Sequence, residues 1–152
     1  MYLAVRERRK IMAFVVKIEG AEAFEISKEC VKSVKMTTDI PLDSNARTKD
    51  VGATMVIKGK ILTSVGGDPF DSTRKMALWS VVPAEKADSY RKVTAEYVAA
   101  GIMERKYCFP NAFVVDYKED YGDEEGIGTF TLVIKQKKDK ISTVTVEGGY
   151  AV

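Results

Sequence analysis

The chain has no histidine in its 152 residues. That removes the Ser-His-Asp and Cys-His nucleophile systems, the HExxH zinc helix and any imidazole acid–base group. Cysteine is nearly as scarce. Cys30 and Cys108 are the only two, they lie far apart, and they form no CxxC pair. Two cysteines without histidine are too few for a structural zinc site. With no export signal ahead of them they read as reduced, half-buried thiols. Long apolar runs are missing as well. The run at residues 11–16 breaks at Lys17, too short for the apolar region of a secretory signal and far short of a membrane span, so no membrane insertion is expected.

Glycine and acidic clusters are present but in no chemical pattern. Gly66, Gly67, Gly126 and Gly128 make neither GxGxxG nor a P-loop. The turn KEDYGDEEG (118–126) groups Asp120, Asp123, Glu124 and Glu125. It lacks the one-three-five ligand spacing of a calcium loop, and no second carboxylate is anchored on a rigid strand for glycoside hydrolysis. A solvated hairpin tip explains it, and in an oligomer that tip could contact the lysine-rich KQKKDK (135–140) of another copy. KQKKDK has no interleaved aromatics, which argues against a nucleic-acid patch. The expectation is therefore a non-enzyme with no catalytic, metal or cofactor-binding residues and no cofactor.

Charge is nearly balanced, with 24 basic and 22 acidic residues. The basic excess sits in residues 1–11, which hold Arg6, Arg8, Arg9 and Lys10 against Glu7; without them the remainder is slightly acidic. The body has no electrostatic footprint for nucleic acid. Arg-Arg-Lys-Ile before a methionine is what a purine-rich ribosome-binding site encodes when translated in frame. Met12 is thus expected to be the native start, leaving 1–11 as a basic leader that is not native and 12–152 as a single domain.

Along the chain, short β-branched and aromatic segments alternate with turn clusters. AFVVKIE alternates Phe14, Val16 and Ile18 against Lys17 and Glu19, and a short strand follows around residues 24–26. In 30–38 Val31 and Val34 fall on opposite faces of a two-residue repeat, which either a bulge or a strong twist reconciles. Residues 39–52 form the longest turn-rich segment, and Asp39, Leu42, Asn45, Arg47 and Lys49 in it are open to a partner. GATMVIKGKI (52–61) alternates cleanly. A helix is expected over about 71–82, capped by Asp71 or Ser72, stopped by Pro83 and anchored in the core by Trp79. Further strand segments follow, the last carrying Val144 and Val146, with turns expected at AAG (99–101), FPN (109–111), 121–128 and 137–140.

The fold these segments predict is mainly β, an antiparallel barrel of about seven or eight strands with one α-helix between its halves. Val56, Val98, Val114 and Val133 place apolar groups on the nominally wet face, with Phe113, Val115 and Tyr117 facing the core. A sheet apolar on both sides usually has something packed against each, so these four valines are candidate subunit-interface residues.

Residues 90–149 resemble the C-terminal half of the tube proteins of contractile injection systems: the hemolysin-coregulated proteins of type VI secretion and the tubes of contractile phage tails. A tyrosine-bearing strand runs into an Asn-centred turn and a VVxY strand, then a Gly/Asp-rich turn and a strand ending on a basic residue. The matching positions are Tyr107, Asn111, Val114, Val115, Tyr117, Gly122, Asp123, Leu132 and Lys135. The resemblance implies a homo-oligomeric ring, a hexamer, stacking into a hollow tube. It also implies sheath and baseplate partners, a lumen passing DNA or effector proteins, and assembly in the cytoplasm. Loop 39–52 would be the element that reaches the next ring. The competing expectation is a monomeric small β-barrel that binds an apolar ligand or peptide. An enzyme using carboxylates or a Ser-Lys pair is the third.

Overall fold

The computed structural model describes residues 13–40, 51–123 and 127–151. Nine strands form one antiparallel sheet: β1 (Ala13–Glu19), β2 (Ala23–Ile26), β3 (Val31–Asp39), β4 (Gly52–Ile61), β5 (Arg91–Ala99), β6 (Ile102–Asp120), β7 (Gly128–Gln136), β8 (Thr145–Glu147) and β9 (Tyr150–Ala151). Among the described residues one α-helix, α1 (Ser72–Ser80), lies between β4 and β5 in the chain. The hydrogen-bonded order is β2-β1-β5-β6-β7-β4-β3, with β8 and β9 added along β6. The sheet curls until β1 meets β3. No ladder joins β2 to β3 among the described residues, so this is an open barrel closed by side-chain packing.

The alternation read from the sequence sets the inside. Met55 and Ile57 on β4, Val93 and Ala95 on β5, and Phe130, Leu132 and Ile134 on β7 all point into one core with Val16 and Ile18. Met76 and Trp79 of α1 join that core, and the Trp79 indole N–H donates to the Ser89 carbonyl at 3.0 Å. Leu78 lies instead on the exposed side of the helix. Two positions along a helix are about 200° apart, so Leu78 cannot share a face with Met76.

β6 is the spine, nineteen residues long. Its first part pairs with β5, and its last part pairs with β7. The handover falls at Phe109-Pro110-Asn111, where a turn was expected and the strand instead runs through. The β5 register shifts there, between Val93 opposite Phe109 and Arg91 opposite Ala112. Proline lacks a ladder donor and is tolerated at such an irregularity. A second shift follows at Val115, between Val114 opposite Ile134 and Asp116 opposite Val133. The irregularity between Val31 and Ser33 is likewise a register shift, which reconciles Val31 with Val34.

The helix begins on a cap the sequence reading did not identify. Asp71 makes no capping hydrogen bond. Asp68, 1% exposed, takes that role: one carboxylate oxygen accepts from the Ser72 N–H and hydroxyl at 3.0 and 2.8 Å, the other from the Thr73 N–H and hydroxyl at 3.2 and 3.4 Å. The Ser27 N–H donates to the Ser72 hydroxyl at 3.2 Å, tying the cap to the end of β2. The helix ends at Ser80, three residues before Pro83.

Candidate functional site

The buried polar groups are occupied with holding the fold. Asp68 has its four donors. The Gln136 carboxamide accepts from the Asn111 N–H at 3.1 Å and donates to the Lys140 carbonyl at 3.3 Å. Arg91 is bound to Asp88 and lies 5.5 Å from the Trp79 ring centre. Its guanidinium and the Ala21 N–H, the larger influence, hold the Asp88 carboxyl below its ordinary range. Cys30 and Cys108 are both free and buried. Burial first, then the nearby Asp68 carboxylate, pushes the Cys30 thiol from 9.0 up to about 11. Among the described residues no group of His, Cys, Asp and Glu is placed to hold a metal ion.

The outer faces of the sheet offer more. Lys35, Val56, Val133 and Asp116 form one transverse row across β3, β4, β7 and β6. Val56 and Val133 are therefore direct cross-strand neighbours, both half-buried. Val98 lies apart from them, between Ala13 on β1 and Met103 on β6. The expectation for Val114 needs correction: it packs against the core, and Tyr117 does too, whereas Val115 is 49% exposed. The extra residue at Val115 reverses the alternation on the first side of it, so Val114 takes the inward place that had been given to Val115.

Asp39 stands where the 39–52 loop leaves β3. Its carboxylate accepts from the Thr54 hydroxyl at 2.7 Å and meets the Lys135 ammonium at 3.4 Å. Leu42, Asn45, Arg47 and Lys49 lie outside the described residues. At the other end of β7, Asp120 and Asp123 are exposed, and Glu124 and Glu125 again lie outside the described residues. The neighbouring Glu119 accepts from the Tyr117 hydroxyl at 2.9 Å and the Tyr121 hydroxyl at 2.7 Å. Burial, then this bond to Glu119, raises the Tyr117 hydroxyl well above its ordinary range; for Tyr121 the bond to Glu119 is the main cause.

The sequence reading missed four exposed apolar residues in α1 or near it in the chain: Val65 (97% exposed), Phe70 (78%), Leu78 and Val81. Phe70 borders an open groove of about 350 Å³ with Glu25, Lys28 and Glu29. The signal was available in GGDPFDST, where a phenylalanine sits inside a turn cluster with no strand or helix to bury it.

The described residues thus form an open, curled antiparallel barrel whose core takes in α1 and is filled by side chains. Comparison of the chain with protein-family models and with curated protein sequences finds no match. Among solved structures, a type six secretion system protein superposes with a TM-score of 0.57 at 10% identity, over 93% of this chain and 91% of that one. Hcp1 from Flavobacterium johnsoniae superposes with a TM-score of 0.55 at 16% identity, over 89% and 96% of the two chains. A chain of the anti-feeding prophage (AFP) baseplate, in a six-fold symmetrised structure, gives 0.50 at 13% identity over 89% and 92%. The chain thus has the Hcp-like fold that its C-terminal half resembles, shared over 89–93% of its length and not only over residues 90–149.

Proposed function

We propose that the chain is a structural subunit that assembles into rings, stacked as the inner tube of a phage-like contractile tail or injection or secretion apparatus. The observation that carries this reading is the fold, matched over 89–93% of this chain and 91–96% of Hcp1 and a type six secretion system protein. A ring closes when one heterologous contact repeats with a rotation that returns to its start. Six subunits is the number we propose, from the six-fold symmetry of the AFP baseplate structure. Sheath and baseplate proteins would then be its outer partners, DNA or effector proteins its lumen cargo, and the cytoplasm its place of assembly.

Half-buried Val56 and Val133 side by side on an outer face suit such a contact, as do the exposed Val65 and Phe70. A monomeric ligand-binding barrel has less support. Trp79, Phe109 and Phe130 fill the interior, each at most 2% exposed. Negative-stain electron microscopy of the concentrated protein tests the proposal. Rings of uniform diameter are expected; a monomer at every concentration by light scattering would count decisively against it.

A further inference from the structure

A half-open cavity of about 100 Å³ lies where the end of α1 and the turn after it meet β6. Trp79, Val82, Ala84, Tyr90, Phe113 and Val114 line it. Voids of this size normally close up, because walls without contacts lose packing energy. Here the walls are fixed by contacts of their own. The Trp79 indole N–H is bound to the Ser89 carbonyl at 3.0 Å, and its ring centre lies 5.5 Å from the Arg91 guanidinium. Tyr90 meets Phe113 edge-on at 5.8 Å between ring centres and has the Lys137 ammonium 5.2 Å from its own. The Val82 N–H is bound to the Trp79 carbonyl at 3.0 Å, and Val114 is held opposite Ile134 in the β6–β7 ladder. The cavity is preformed, as small-molecule sites usually are.

Its chemistry follows from what the lining has left to offer. Ser80 and Ser89 also reach the wall, but their hydroxyls donate to the Ala77 and Lys86 carbonyls, the second at 2.8 Å. With the indole N–H engaged as well, the Tyr90 hydroxyl alone remains as a side-chain donor of the lining among the described residues. Charge is balanced all round. Arg91 is bound to Asp88, Lys137 to Asp139 at 3.7 Å, and Lys135, opposite Phe113, to Asp39 at 3.4 Å. Exposed Glu85 and Lys86 in the turn offset each other. An ion would find no counter-charge there, and a polar guest would give up hydrogen bonds to water without replacing them.

We propose that this cavity is a binding site for one small, neutral, apolar molecule of roughly four to six carbons. An enclosed apolar cavity of about 150 Å³ takes a benzene ring, so a smaller one open at its mouth takes such a ring with one edge protruding. Three aromatic walls, Trp79, Tyr90 and Phe113, favour a flat guest over a branched one. The site is separate from the barrel interior, which side chains fill, and it does not depend on the assembly of rings.

Titration of the whole chain with benzene tests it. Trp79 is the only tryptophan, so its indole resonance in NMR reports on the site directly. Benzene is expected to shift that resonance saturably, to move Phe113 and Val114 with it, and to raise the thermal midpoint. Pyrazine has the same size but two ring nitrogens, for which the lining supplies at most the Tyr90 hydroxyl. It is expected to bind at least about tenfold more weakly. Ala84→Leu, at an exposed position, fills the space and should abolish the benzene shift. Phe113→Ala removes a wall and should weaken binding about tenfold. Circular dichroism checks that both variants keep the fold. A shift that stays linear in benzene, pyrazine binding as tightly as benzene, or binding unchanged in both variants would overturn the inference. None of these outcomes touches the ring-forming reading.

Discussion

Among the described residues two non-glycines, Asp71 and Ala100, have a left-handed backbone, and alanine has no side-chain hydrogen bond to offset it. Ala100 and Gly101 join β5 to β6 with φ of 54° and 77°, both left-handed. Two positive φ values in a two-residue hairpin are the signature of a type I′ turn, for which Asn-Gly is the preferred pair. A left-handed residue with an ordinary Cβ costs about 1–2 kcal/mol, which asparagine partly relieves by local hydrogen bonding. Ala100→Asn is therefore expected to stabilise the fold by about 0.5–1 kcal/mol, read as a rise in the thermal midpoint. The cysteines give a second check at this scale. With its pKa raised to about 11, Cys30 is roughly one part in a thousand thiolate at pH 8. A thiol reagent added to native protein at that pH should leave Cys30 unmodified, and after denaturation both thiols should react. Rapid native labelling of Cys30, seen by peptide mass, would contradict the buried placement.

Among the elements, those with strict alternation were open to reading from sequence. β4 from Ala53 to Gly59 and β7 throughout bury every second residue as their patterns require, since each has one face on the core and one outward. What could not be read was set by contacts distant in sequence. Pro110 is a local turn signal, but β6 changes partner there, and the change creates a place where a missing N–H costs little. The face of Val114 depends on a shift at Val115 that only the pairing with β7 defines. Asp68 caps α1 from three residues before the expected Asp71, because the intervening turn folds back and brings its carboxylate over the helix start. Of the candidate contact residues, Val56 and Val133 were legible as outward β-branched positions. Exposed Phe70 was legible only as an apolar residue inside the turn cluster GGDPFDST, because turn residues carry no periodicity that assigns a face.

The C-terminal strands make an element-scale prediction. β8 is exposed at every residue, and the segment is held to β6 by backbone pairing, including the Gly149 N–H to the Met103 carbonyl at 2.8 Å. A Cβ on Gly148 would stand 2.3 Å from the Glu104 carbonyl oxygen, closer than any side chain allows. Gly148→Val is expected to detach this segment with little loss of global stability. Hydrogen exchange should accelerate at residues 145–151 and stay slow at Leu132; unchanged protection at 145–151 would refute it.

For the molecule as a whole, the proposed assembly turns on outer faces that contribute little to the core. Val56→Glu with Val133→Glu introduces adjacent like charges on one face of β4 and β7. Repulsion between directly opposed like charges weakens a sheet by about 0.2–1 kcal/mol, too little to unfold it. If that face meets a neighbouring subunit, ring formation should be lost while the fold persists; rings formed as in wild type would remove the two valines from the contact.

The order of strands around β6 also dictates an order in time. β5, β6 and β7 follow one another directly, so their ladders close over short loops, whereas β4 reaches β7 only after residues 62–127 have been brought back. Closing distant segments is entropically slow, and nearby hairpins have the advantage early. The 91–136 meander is expected to be the nucleus onto which β3 and β4 dock late. In stopped-flow experiments Val93→Ala should chiefly slow refolding, and Val34→Ala should chiefly speed unfolding.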